Sequence, residues 1–173
     1  MAQRSAKIET LIDGALSYCA VSSFSLFVEI YGAVRMTSAQ NIIFSSGLLL
    51  FVLGLLNGII IPKTKSPRLS LSAHLTAVQS GTFLIAIALG WPHFNMAAST
   101  STLVAYALSA SIFVLWFAFL LAGIWGAGYN LTIAGQNSEA SPAQQAVVTI
   151  CLGLGVLGTT MISALVLFLW FRS

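Results

Sequence analysis

NIIFSSGLLLFVLGLLNGIII, residues Asn41 to Ile61, is an uncharged run closed by Pro62. Crossing the hydrocarbon core of a bilayer takes about twenty apolar residues at about 1.5 Å each. The run therefore predicts a membrane-spanning helix, and the proline marks its end. Within it lies Gly54-Leu-Leu-Asn-Gly58, a Gly-x-x-x-Gly pair that lets another helix approach closely. Asn57 is the only amide deep in the run. Composition agrees: 58% of the 173 residues are hydrophobic and 6% are charged, where a soluble domain carries about 25% charge. The chain reads as an all-α integral membrane protein.

Beyond Pro62 comes a short basic loop, Lys63, Lys65 and Arg68, and then PRLSLSAHLTAVQSG, Pro67 to Gly81. This places His74 about two turns into a second apolar helix. Two readings of His74 are open. It hydrogen-bonds a neighbouring helix, or it is a functional group, and in lipid the cost of an ionisable side chain favours the second. At about 100° per residue, Ser70, Ala77, Val78 and Gly81 share its face and Gln79 points away. On that small face Gly81 and Ala77 leave room for a flat cofactor, with the imidazole reaching a metal. The short connection makes Asn57 and His74 candidate neighbours.

The second span runs from near Leu69 to Trp91-Pro92, with His93 just outside. His93 lies about 28 Å along the helix from His74, so the two histidines of one chain do not share a metal. A small-residue loop, 97 to 102, precedes a third span from about Leu103 to Gly126, whose polar or amphipathic members are Tyr106, Ser109, Ser111 and Trp116. Gly126-Ala-Gly-Tyr breaks that helix, and the loop beyond contains Asn130-Leu-Thr132, a glycosylation sequon only in a eukaryotic secretory pathway. The last span, about Gln144 to Phe171, opens on Ser141-Pro142 with proline in the first helical position. Its Gly153, Gly155 and Gly158 suit close packing within the bundle or between subunits. Residues 1 to 35 form an extension in which Ala15 to Val28 is uncharged and Glu29 follows. It is an interfacial helix or a fifth span, added to a four-span bundle at 36 to 173. The cations of the 63 to 68 loop put it on the cytoplasmic side. The amino terminus shares that side if residues 15 to 34 cross, and lies opposite if they do not.

Several classes of chemistry lack their parts. There is no Walker loop, dinucleotide fingerprint or nucleophile elbow. The four acids, Glu9, Asp13, Glu29 and Glu139, offer no catalytic pair. Cys19 and Cys151 have no Cys or His at ligand spacing, which suggests neither a disulfide nor a zinc site. The net charge of +3 is scattered, so nucleic acid is not expected as a partner. One histidine does not make a catalytic zinc site, but it suffices for haem, whose porphyrin brings four donors. Lys63, Lys65 and Arg68 are within reach of carboxylates at the membrane surface, where propionates would lie. A single slim bundle has too little internal volume for a porphyrin, which implies an oligomer.

The run Pro67 to Leu75, preceded by Gly54 to Pro62, resembles the hydroxylaminobenzene mutase family of small bacterial membrane proteins. Ile133-Ala-Gly135 and Ser141-Pro-Ala-Gln-Gln145 are similar to that family's last connection. The likeness covers about residues 36 to 171, is most specific around His74, and extends more distantly to styrene oxide isomerase. It implies a homotrimer in the bacterial inner membrane holding haem b between subunits. His74 stands at the axial-ligand position, and ferric iron acts as a Lewis acid on an epoxide or hydroxylamino oxygen. Two departures stand out: Ser80 where an asparagine is expected, and Leu115 and Phe119 where relatives carry asparagine and a hydroxyl or tyrosine. Asn57, Ser80 and Tyr106 are then the candidates to orient the oxygen, and Lys65, Arg68 and Gly81 the candidates to hold the haem. The leading expectation is an intramolecular isomerase of small aromatic compounds. The rivals are a non-catalytic protein that binds, carries or senses haem, and a structural bundle without cofactor.

Overall fold

The computed structural model describes residues 36–94, 96–128 and 140–172. The expected amino-terminal helix, the Asn130 sequon and the Ile133 to Gly135 segment lie outside the described residues, as do the four acids. Four helices are long and apolar enough to cross a membrane: α1 (Ser38–Ile60), α2 (Pro67–Gly90), α3 (Ala98–Trp125) and α4 (Pro142–Arg172). Single 3-10 turns, Ile61–Lys63 and Trp91–His93, follow α1 and α2. The fold is the expected all-α membrane bundle.

Each helix end follows from its local chemistry. Thr37 and Gln40 make a capping box at the start of α1: the Thr37 hydroxyl accepts from the Gln40 N–H and the Gln40 side chain accepts from the Thr37 N–H, each at 3.3 Å. Ser141 and Gln144 do the same for α4, with Pro142 as its first helical residue. Gly126, at φ 69°, closes α3 in a conformation that costs a side-chain-bearing residue energy, and the N–H groups of Gly126 and Ala127 both return to the Ala122 carbonyl. One expectation needs correction: residues 98 to 102 are not a loop but the first turn of α3. No proline or glycine interrupts them, Thr102 bonds back to the Ala98 carbonyl at 2.9 Å, and Ser101 accepts from the Trp91 indole at 2.8 Å.

The dominant contact is between α1 and α2, followed by α3 with α4. Beyond Ala39, the residues that α1 buries, Gln40, Ile43, Gly47, Leu50, Gly54 and Asn57, step by three and four, the spacing of a shallow left-handed crossing. Lipid supplies no hydrophobic drive between helices, so close backbone packing must hold them. A Cβ placed on Gly47 would lie 2.9 Å from the Gly81 carbonyl oxygen, and one on Gly81 would lie 2.8 Å from that of Gly47. Gly54 similarly meets Ala77. These pairings make α1 and α2 antiparallel, and Gly155 on the Leu115 backbone with Gly158 on Ser111 does the same for α3 and α4. At the far end from the basic loop, Gln40 Nε2 donates to the Ala88 carbonyl at 3.0 Å, which satisfies a buried amide.

Helix α4 is the least enclosed span, with 11% of its most apolar window buried. Its outer face, which includes Ile150, Leu154, Leu157 and Met161, is left for lipid or another chain. Gly153 lies on this side and meets nothing within 4 Å, unlike Gly155 two residues on.

Replacing Gly81 with leucine should wedge α1 from α2 and lower stability in detergent by about 1–3 kcal/mol. Gly153→Ala should leave stability unchanged or raise it by up to about 1 kcal/mol. Thermal unfolding midpoints of the two variants check this directly.

Candidate functional site

His74 sits on α2 one turn after Ser70 and faces the last two turns of α1. Its Nδ1 lies 2.7 Å from the Gly54 carbonyl oxygen. A carbonyl offers no proton, so this bond requires hydrogen on Nδ1, and Nε2 of the neutral ring then carries a lone pair. The ring lies over Gly58, where an added Cβ would stand 3.1 Å from Nδ1 and 3.2 Å from Cε1. The Gly-x-x-x-Gly pair thus divides its work: Gly54 supplies the acceptor and the close approach, and Gly58 supplies the seat for the imidazole. Nε2 has no hydrogen-bond partner among the described residues, and the ring is half-buried. Leu55, Ile59 and Leu75 nearby are exposed apolar side chains.

A small polar network ties this end of the bundle together. Asn57, 4% exposed, donates from Nδ2 to the Ser70 carbonyl at 3.4 Å, while its Oδ1 is buried without a partner. The Ser70 hydroxyl donates to Thr64 at 2.8 Å, and Thr64 to the Ile61 carbonyl at 2.8 Å. The Ser66 N–H reaches the Gly123 carbonyl at 3.1 Å, and Gly123 packs on Ser70. These bonds fix the basic loop against α3, with Lys63, Lys65 and Arg68 exposed. Neither the Ser70–Thr64 pair nor the role of Gly58 was legible in the sequence, although Gly58, four residues after Gly54, carried a signal.

The structure brings Asn57, Ser70 and His74 together at one membrane face and does not bring the other candidates to them. Gly81 is enclosed by Gly47 and Phe51, so it serves the helix crossing and leaves no bare surface for a flat ring. Ser80 is half-buried, about 9 Å further up α2 and about 120° around from His74. Tyr106 is 59% exposed near the other end of α3. Gly123 marks the level of Ser70, so Tyr106 and His74 differ in depth by about 20 Å. Rotation about a membrane-normal axis leaves depth unchanged, so a symmetry-related Tyr106 is equally remote. Asn57 is close, but it is enclosed in the α1–α2 seam.

This donor set suits a metal that brings its own equatorial ligands. Among the described residues no three of His, Cys, Asp and Glu come together. His74, with Nδ1 committed to a backbone carbonyl and Nε2 without a partner among the described residues, has the arrangement that orients metal-ligating histidines. The apolar surface around it suits the face of a porphyrin, and the cations of the basic loop suit carboxylates at the membrane edge.

A sequence model of the styrene oxide isomerase family matches residues 39–172. The chain is 34% identical over 114 residues to hydroxylaminobenzene mutase HabA of Ectopseudomonas oleovorans, a match covering 65% of this chain and 84% of the relative. It is 36% identical over 107 residues to HabB of the same organism, covering 61% of this chain and 65% of that relative. No solved structure matches.

In protein labelled with nitrogen-15 in histidine, His74 should show a single tautomer, with hydrogen on Nδ1. Gly58→Val should push the ring from the Gly54 carbonyl and produce a mixture of tautomers, which nitrogen NMR distinguishes.

Proposed function

Because the chain belongs to the styrene oxide isomerase family, we propose that it is a haem b-dependent membrane isomerase of small aromatic compounds, rearranging an aryl hydroxylamine to an aminophenol or an aryl epoxide to an aldehyde. The observation that carries the reading is the Nδ1–Gly54 bond, which leaves His74 Nε2 as a lone pair held in a fixed ring, without a partner among the described residues. Bound there, haem supplies a Lewis-acid position for the substrate oxygen.

The chain's own residues do the rest. His74 holds the ligand atom in place, because its ring is pinned by a backbone carbonyl and seated on Gly58. Asn57 and Ser70 keep α1 and α2 in register beneath it. Leu55, Ile59 and Leu75 keep water from the outward side. Arg68 and Lys65 pair with carboxylates at the membrane surface. His74 is only half-buried and Leu55, Ile59 and Leu75 beside it are exposed, which supports a homotrimer whose neighbouring subunit closes the site. An isomerisation needs no net redox change, in keeping with a site poor in acids and bases. The bacterial relatives and four spans support a place in the bacterial inner membrane.

A second reading, a protein that binds, carries or senses haem without turnover, draws on one observation: Asn57, Ser80 and Tyr106 do not reach the open side of His74. The two readings separate in one experiment. Purified protein should show a Soret band that His74→Ala abolishes, and the ferric form should convert styrene oxide to phenylacetaldehyde or phenylhydroxylamine to aminophenol without reductant or nucleotide. Haem-loaded protein that turns over neither compound belongs to the second reading. Arg68→Gln should weaken haem retention about two- to fivefold, the contribution of one exposed charge pair.

A further inference from the structure

A cavity of about 440 Å³ opens between α2, α3 and α4 at the end of the bundle opposite the basic loop. Phe83, the wall residue nearest to His74 along α2, is nine residues beyond it, about 14 Å along the helix, and Gly90 is about 24 Å beyond, so the cavity is separate from the histidine site. Phe83, Ile87, Phe94, Leu108, Val166 and Trp170 make most of its wall. We propose that this cavity is a second ligand site, and that it takes a substituted single-ring aromatic compound whose polar substituent accepts a hydrogen bond from Ser163.

Four observations support this assignment. An apolar cavity of about 150 Å³ already holds benzene, so this one admits a ring with a substituent. Its volume also lies within the range of small-molecule sites, about 300–1,000 Å³. Phe94 stands edge-on to Trp170, centroids 5.5 Å apart at 67°, and Trp91 tilts against Phe94 at 5.4 Å. A third ring completes such a herringbone of faces and edges. Gly90 meets nothing within 4 Å, so open space lies where any other residue would place a side chain.

The fourth observation is the hydroxyl. Ser163 carries the one hydroxyl in the wall and makes no hydrogen bond among the described residues, although it lies in a helix within the hydrocarbon region. Elsewhere in the spans Ser45, Thr82 and Ser111 donate to the carbonyl four residues before them. One turn deeper on the same face of α4, Thr159 has a buried hydroxyl that is also unpartnered. An unanswered hydroxyl in lipid is costly, and an acyl chain would not answer that of Ser163. A ligand in the cavity with a carbonyl, hydroxyl or hydroxylamino group would.

The test uses an unreactive probe, para-fluoroacetophenone, with the full-length protein in nanodiscs and fluorine NMR as the readout. Saturable one-to-one binding is expected, unchanged in His74→Ala. Gly90→Phe, which grows a ring into the cavity, should weaken binding at least about tenfold, and Ala86→Phe on the same wall provides a second block. Ser163→Ala should cost para-fluoroacetophenone about fivefold and para-fluorotoluene nothing, since only the ketone uses the hydrogen bond. Uptake that scales with lipid rather than protein, binding indifferent to both blocking variants, or binding lost in His74→Ala would overturn the proposal. None of these results depends on turnover, so the isomerase reading stands or falls by its own assay.

Discussion

The hydrogen bond from His74 Nδ1 to the Gly54 carbonyl is possible only because two helix backbones run almost in contact. In the hydrocarbon core a polar ring has no water to turn to, so its partner must come from the protein. Gly47, Gly81, Gly54 and Ala77 bring α1 and α2 close enough for an imidazole to span the seam and reach a main-chain oxygen. A bulkier crossing would move Gly54 out of reach and leave Nδ1 unpaired. The same closeness encloses Asn57 and aims it at the Ser70 carbonyl. Helix packing and the chemistry of the histidine are thus one constraint seen at two depths.

The four described spans were legible because uncharged runs of about twenty residues admit little else. Their ends were legible where proline or glycine punctuates them, at Pro62, Trp91-Pro92, Gly126 and Pro142. The start of α3 was not, because Ser and Thr mark loops in water but in a span satisfy their hydroxyls on their own helix, as Thr102 does. The neighbourhood of Asn57 and His74 followed from a short loop between antiparallel helices. The use of Gly81 did not follow, because small residues on one face suit a flat ligand and a close helix equally well, and periodicity does not distinguish them. The remoteness of Tyr106 needed the depth correspondence that Ser70 and Gly123 supply.

The two ends of the bundle are built for different tasks. The end near the basic loop carries one histidine bonded to a backbone carbonyl beside a small polar network, with exposed cations in the loop. The other end is aromatic, with His93 and Trp170 edge-on at 6.1 Å and an open cavity beside them. Between them α3 and α4 carry hydroxyls at Ser109 and Thr159 and an indole N–H at Trp116 that lack partners among the described residues. Buried donors of this kind are few in folded proteins, and they mark places where a ligand, water or second chain completes the structure.

If the chain holds haem as proposed, His74 would ligate the iron through Nε2 while Nδ1 stays bonded to Gly54. Resonance Raman spectroscopy of the ferrous, haem-loaded protein reads this out, because the iron–histidine stretch reports both the ligand and the hydrogen bond behind it. Such a band is expected, absent in His74→Ala and shifted to lower frequency in Gly58→Val as the bond to Gly54 weakens. A band that persists without His74 would contradict it.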